Sequence, residues 1–170
     1  MVDYFKLLEM PLSFRPDLAV LKRQYYMLIR SYHPDHFTDM DDQGSQSSEI
    51  NIAYKVLSDD QARWSYLLHF LGVLKDGEHE VLSQEFLMEI MEINEAIFDL
   101  EMDFDEDKRN ETLKDVEVMK ADLIAALNKG IDLFENQVDK EDALKIIKEN
   151  FLKLKYMLRI QENLSTFASL

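Results

Sequence analysis

The sequence predicts an all-α protein of two small domains: an antiparallel helical hairpin with short flanking helices, followed by an antiparallel three-helix bundle. Three observations support this fold class. The 170 residues include only 4 Gly and 3 Pro, too few for the turns of a β-rich architecture. Apolar residues make up 46% of the chain, which is enough for genuine hydrophobic cores. Long segments place these residues three and four positions apart, the period of a helix buried on one side.

A short helix and a longer one are predicted before the first sharp corner of the chain. Residues 4–8 are a short apolar segment, and prolines follow it closely. Asp17 then precedes a longer helix. This helix must end near His33, because Pro34 disfavours the α conformation in the residue before it. Its predicted buried stripe consists of Leu18, Leu21, Tyr25, Leu28 and Tyr32.

The hairpin is completed by a second long helix. Residues 36–48 are polar and lack a helical period, so they predict a loop. A helix then begins near Ser47 or Ser48. Asp59 and its neighbours predict a fresh helix cap before a further helix around residues 63–68. The stripe predicted for the second long helix consists of Ile50, Ala53, Tyr54 and Leu57.

The C-terminal half predicts three longer helices, from about Ser83 to Met102, from about Glu106 to Phe134, and after Asp139. Their apolar seams are Phe86, Ile90, Ile93, Ile97 and Leu100 in the first helix, Leu113, Val116, Leu123, Leu127 and Phe134 in the second, and Leu144, Ile147, Phe151, Leu154 and Leu158 in the third. Sustained seams joined by short links predict an antiparallel three-helix bundle.

A change in charge marks the predicted domain boundary. The segment 72–79 holds two of the four glycines, and the net charge is -3 before residue 73 but -12 from there on. We therefore expect domains at residues 1–74 and 83–170, joined by a linker at 75–82.

Composition excludes several classes of function. The net charge of -15 argues against nucleic-acid binding, which depends on Lys and Arg neutralising phosphates. The absence of Cys excludes disulfides, thiolate metal sites and cysteine catalysis. Neither a membrane span nor a basic signal peptide is present, so we expect a cytoplasmic protein without a membrane partner.

The tripeptide His33-Pro34-Asp35 is the most distinctive local motif. Pro34 fixes the backbone at a corner, so the imidazole and the carboxylate on either side point outward, and a carboxylate held in this way is a good partner for an Arg on another protein. A catalytic His/Asp pair would need a nucleophile or a pocket, and the neighbouring sequence offers neither. His33 and His36 could form part of a metal site. However, Pro34 breaks the helical spacing between them, and no second pair of ligands follows in the sequence. We therefore expect no catalytic residue, no metal and no cofactor.

Two other surfaces are candidates for protein contact. Lys22, Arg23 and Arg30 form a basic patch beside the tripeptide, which favours an acidic partner. The first bundle helix also carries more apolar residues than its seam needs, namely Leu87, Met88, Met91 and Phe98. They indicate either a helix buried on two sides or an exposed Met-rich docking strip bordered by Glu, and the pattern leaves both open.

These motifs resemble a known family. The segments Asp3-Tyr4-Phe5-Lys6-Leu7-Leu8, His33-Pro34-Asp35 and Asn51-x-Ala53-Tyr54-x-Val56-Leu57-Ser58-Asp59, continued through Arg63 and Tyr66-Leu67-Leu68, resemble a J domain. A J domain ahead of an acidic bundle containing Phe86-Leu87-Met88-Glu89 resembles the HscB family of co-chaperones in iron–sulfur cluster assembly.

The resemblance implies an adaptor protein and not an enzyme. It implies that the J domain stimulates the ATPase of a DnaK-type, HscA-like chaperone, and that the bundle delivers an IscU-type scaffold protein to it. The implied chaperone-binding residues are His33, Pro34, Asp35, Lys22, Arg23 and Arg30. The implied scaffold-binding residues are Leu87, Met88, Met91, Glu92, Glu95, Asp99 and Phe151. The heptad seam instead places Phe151 in the core, and a bundle that binds another client is the alternative function.

Overall fold

The computed structural model describes residues 1–32, 43–75, 77 and 82–166, and every regular element in these ranges is a helix. The predicted all-α fold class is confirmed. The chain divides into two compact units, Met1–Asp76 and Gly77–Leu170. The first contains α1 (Tyr4–Leu7), α2 (Leu18–Ser31), α3 (Gln43–Ser58) and α4 (Asp60–Phe70). The second contains α5 (Gln84–Glu89), α6 (Met91–Met102), α7 (Glu106–Glu135) and α8 (Lys140–Thr166).

Helices α2 and α3 form the predicted antiparallel hairpin. Tyr32, at the end of α2, accepts a hydrogen bond through its carbonyl from the hydroxyl of Ser47, near the start of α3. Tyr25, further back in α2, stacks on Tyr54 further along α3, with ring centroids 4.1 Å apart. Its hydroxyl also donates to Asn51 Oδ1 at 2.8 Å. The end of α2 thus lies beside the start of α3, and earlier residues of α2 contact later residues of α3, which is the antiparallel arrangement.

Aspartate caps begin α2 and α4 of the first unit, and the sequence predicts the one at Asp59. The Asp17 carboxylate accepts from two backbone N–H groups in the first turn of α2. Asp59 accepts from the N–H of Ala62 at the start of α4. Both satisfy donors that a helix N-terminus leaves without an intrahelical partner.

The second unit is built on a long antiparallel pair, α7 and α8. Arg109 of α7 donates from Nε to the carbonyl of Leu164, and Lys120 donates to Gln161. Gly130 lies against α8: a Cβ there would lie 2.9 Å from side-chain carbons of Ile146 and Ile147. The buried sides of α5 and α6 pack against this pair. Their shared core consists of Phe86, Ile90, Ile93, Leu100, Val116, Met157, Ile160 and Leu164.

Three sequence-based expectations need correction. The predicted first bundle helix is two helices, because the chain turns at Ile90 with φ -95° and ψ 7°. Ile90 is completely buried, so tertiary packing overrides helical continuity there. The predicted loop at 36–48 is helical from Gln43 onward, since packing against α2 outweighs the weak helix propensity of Gly and Ser. Leu18, expected in the stripe, is half exposed in the first turn of α2.

Candidate functional site

The basic patch lies on the exposed side of α2. Lys22, Arg23 and Arg30 are all exposed. The opposite side of the helix is held by completely buried Leu21 and by the stacked and hydrogen-bonded ring of Tyr25. Because that side is anchored on α3, the cationic side chains point into solvent. The tripeptide His33-Pro34-Asp35 lies outside the described residues.

Two apolar side chains accompany the patch. Tyr26 and Met27 are at least half exposed and lie among the three cations. Tyr26 stands four residues from Lys22 and from Arg30, a spacing visible in the sequence. Met27 is a residue that sequence reasoning missed. Its position four residues after Arg23 was the available signal, but a single Met next to a buried stripe is more often part of the core.

The extra apolar residues of α5 and α6 are exposed, which decides between the two interpretations of this segment. Met88 is 75% exposed, Met91 55%, and Leu87 is also exposed. The neighbouring seam residues Phe86 and Ile90 are buried. The segment is therefore buried on one side and presents a Met-rich strip to solvent on the other.

The strip borders a shallow open groove of about 400 Å³. Its lining is Leu87, Met91, Asn94, Glu95, Phe98 and Asp99. The three carboxylates predicted for the site, those of Glu92, Glu95 and Asp99, are all exposed. The groove thus combines an apolar floor with an acidic border.

Two polar residues of the groove are held in place by other helices. Asp99 Oδ2 accepts a hydrogen bond from Lys108 Nζ at 2.6 Å, an ion pair between α6 and α7. Asn94 Oδ1 accepts from the Tyr156 hydroxyl at 3.2 Å. The groove residues missed in the predicted set are Asn94 and Phe98. Phe98 was visible as a surplus apolar residue, whereas nothing in the sequence singles out Asn94.

Phe151 does not share the exposure of the other predicted scaffold-binding residues. Its side chain is only 2% exposed and belongs to the buried residues of α8. This is the position that the heptad seam assigns to it. In this structure Phe151 presents no surface to a partner and stabilises the bundle from inside.

Other kinds of site find no support among the described residues. Those ranges contain no group of three or more His, Asp or Glu side chains arranged to hold a metal ion. Within the same ranges, no helix is long and apolar enough to cross a membrane.

Comparison with known proteins covers both units. The family model for the DnaJ domain matches residues 3–66, and that for the HSCB C-terminal oligomerisation domain matches residues 82–165. The human iron–sulfur cluster co-chaperone protein HscB is 33% identical over 169 residues, covering 95% of this chain and 67% of the relative. The co-chaperone protein HscB homolog of Psychromonas ingrahamii is 30% identical over 166 residues, covering 94% of this chain and 93% of the relative.

Solved structures show the same architecture. The crystal structure of the human co-chaperone protein HscB gives a TM-score of 0.71 at 29% identity, covering 98% of this chain and 82% of that one. The chaperone HscB from Vibrio cholerae gives a TM-score of 0.68 and covers 99% of this chain and 98% of that one. Its 24% identity makes that second match a statement about the fold alone.

Proposed function

This chain belongs to the HscB family of J-domain co-chaperones, and from that premise we propose that it couples two protein partners. One partner is a DnaK-type, HscA-like chaperone whose ATPase the first unit stimulates. The other is an IscU-type iron–sulfur scaffold protein that the second unit holds and delivers. The observation that carries this proposal is the exposed strip of Leu87, Met88 and Met91 in a domain of this family.

The chaperone contact belongs to the first unit. We assign it to His33, Pro34 and Asp35 together with the basic patch of α2. The exposure of Lys22, Arg23 and Arg30 supports this assignment, because cations on an anchored helix can steer an acidic surface into place. Exposed Tyr26 in the same patch supplies the aromatic character typical of binding hot spots.

The client contact belongs to the second unit. Leu87, Met88 and Met91 provide apolar area, and flexible Met side chains adapt well to a partner surface. Glu92, Glu95 and Asp99 give the strip an acidic border that selects partners with basic residues. The alternative function, a J-domain co-chaperone with a different client, would use the same strip.

The protein then acts without chemistry of its own, and we propose that it needs no cofactor. It biases the chaperone's ATP cycle through contacts that differ between the states of that cycle. It also raises the local concentration of the client by tethering it, with domains at residues 1–74 and 83–170 joined by the linker 75–82. We place this activity in the cytoplasm.

The chaperone contact is tested by Asp35→Asn, measured as stimulation of the steady-state ATPase of the partner chaperone. We expect the stimulation to be lost, because the substitution removes the carboxylate charge that an Arg would bind. Asp122→Asn, at an exposed position of α7, is the matched control and should stimulate normally. Undiminished stimulation by Asp35→Asn would contradict the J-domain mechanism.

The client contact is tested separately with the double variant Met88→Ala and Met91→Ala, measured by calorimetric titration of an IscU-type scaffold protein. We expect binding to weaken at least tenfold, about 1.4 kcal/mol, since two exposed anchors are removed. Val118→Ala, at an exposed apolar residue of α7, should bind normally. A wild-type protein that stimulates the chaperone but fails to bind the scaffold would favour the alternative client.

A further inference from the structure

The exposed apolar strip continues along α6 beyond the residues assigned above. Phe98 is 63% exposed and Met102 is 76% exposed. They follow Met91 at intervals of seven and four residues. At about 100° per residue, both lie within about 20° of Met91 around the helix axis. The three side chains therefore form one row along a single face.

This row is not explained by the packing of the bundle. The buried residues Ile93 and Leu100 lie about 180° to 200° from Met91 around the same helix. The row thus faces directly away from the core, where polar residues are usual in a surface helix. A contiguous exposed row of large apolar side chains marks a surface that a partner covers.

Acidic side chains lie on both flanks of the row. Asn94 lies about 60° from Met91 in one rotational direction and is hydrogen-bonded to Tyr156, and exposed Glu101 lies about 80° away on the same side. On the other flank, Glu92, Glu95 and Asp99 lie between about 40° and 100° from Met91. The face is therefore apolar in the middle and acidic on both sides, with three of these four acids on the flank of Glu95.

The acids of this flank are not equivalent. Asp99 is paired with Lys108 at 2.6 Å, so part of its charge is already compensated within the chain. Glu95 also lines the groove, together with Phe98 and Met91. Glu95 is therefore the carboxylate best placed to meet a cation on a partner that fills the groove.

From this geometry we propose that the client-docking surface runs the full length of α6 to Met102, with Phe98 as its central anchor. Its occupant is an apolar segment of the scaffold client bordered by Lys or Arg. The row from Met91 to Met102 is about 16 Å long, which matches three turns of a partner helix. This proposal rests on the proposed client function and adds Phe98 and Met102 to its contact surface.

Phe98→Ala tests the anchor, with affinity for an IscU-type scaffold protein measured by calorimetric titration. We expect affinity to fall at least tenfold, because large aromatic side chains at the centre of an interface often carry much of its binding energy. Met102→Ala, at the end of the row, should weaken binding by about threefold. Phe98→Leu retains much of the apolar area and should lose less than Phe98→Ala. Val118→Ala, away from this row on α7, controls for the loss of an exposed apolar side chain.

The outcomes separate this proposal from the one on which it rests. If Phe98→Ala binds normally while the Met88→Ala and Met91→Ala double variant loses binding, the extension along α6 is wrong and the client function stands. If neither variant weakens binding, both the client function and its extension are wrong. Circular dichroism of each variant checks that the helices remain folded.

Glu95→Gln tests the acidic border of the row, with affinity measured at several salt concentrations. We expect weaker binding at low salt and a shallower salt dependence than in the unsubstituted protein, because one screened attraction is removed. Glu117→Gln, at an exposed acid of α7, is the matched control. An unchanged salt dependence in Glu95→Gln would overturn the basic character proposed for the occupant.

Discussion

Arg63 is a buried cation that joins three segments of the first unit. Its side chain is only 3% exposed. Its Nε donates to the carbonyl of Phe14 at 3.0 Å, and Nη1 donates to the carbonyl of Leu57. Nη2 pairs with Asp60. The guanidinium therefore ties the α1–α2 connection and the last turn of α3 to the start of α4.

Arg63→Met should destabilise the first unit by about 3 kcal/mol. Methionine fills much of the same space but has no donor, so the carbonyls of the completely buried Phe14 and Leu57 each lose the hydrogen bond from Arg63. Losing a hydrogen bond to a buried acceptor costs about 1–3 kcal/mol. Arg63→Met also removes the cost of burying a charged guanidinium, and this gain offsets part of the loss from the two hydrogen bonds. The bridge to Asp60 contributes little, because that carboxylate is 63% exposed.

Urea denaturation, monitored by tryptophan fluorescence, measures the stability of the first structural unit specifically. Trp64 is the chain's single tryptophan, and it is buried in α4. Its emission therefore reports unfolding of the first unit with no tryptophan signal from the second. With a slope of about 1–2 kcal/mol per M of urea, the midpoint should fall by roughly 2 M.

The matched control is Arg23→Met, which removes an exposed Arg of α2 in the same unit. Surface substitutions of this kind usually change stability by less than about 0.5 kcal/mol. If Arg63→Met also stayed within that range, the assignment of the two carbonyls as buried acceptors that depend on Arg63 would be refuted.

Two further predictions concern pH and packing. Burial raises the pKa of Tyr66, so its contribution to stability is complete below the ordinary value near pH 10 and is lost as pH rises through the raised value. Unfolding monitored between pH 9 and 12 should show this loss in the unsubstituted protein and less of it in Tyr66→Phe; identical profiles would contradict it. Gly130→Val should destabilise the second unit by about 1–2 kcal/mol, because a Cβ there meets the Ile147 backbone nitrogen at 3.2 Å, and overpacking outweighs the small gain in helix propensity. Thermal melting by circular dichroism should show no such loss in Lys129→Val at the exposed neighbouring position.

Local signals in the sequence predicted much of the fold. The cap at Asp59 was visible because a side-chain acceptor must stand next to the first helical turn. The turn at Ile90 was not visible, because no Gly or Pro marks it and its cause is burial against other helices. The helical start at Gln43 was hidden for the same reason, since contact with α2 compensates for weak local propensity.

The candidate client surface illustrates the same limit. The sequence identified the surplus apolar residues of α5 and α6, but the spacing suited a helix buried on two sides as well as an exposed strip. Whether Met88 meets solvent depends on how many other helices pack around its segment, which is a property of the whole bundle. Phe151 is the converse case: family resemblance suggested a contact residue, and the heptad seam correctly placed it in the core.

The helical class, the cap at Asp59, the charge of each half and the family motifs are readable without a structure, because they depend on neighbours along the chain. Which apolar residues are left exposed, such as Phe98 and Met102, is a property of the folded bundle. The tertiary structure also decides which polar groups are buried with partners, such as Arg63. The physical reason is that burial and hydrogen bonding at these positions are set by residues distant in sequence, which a local period cannot specify.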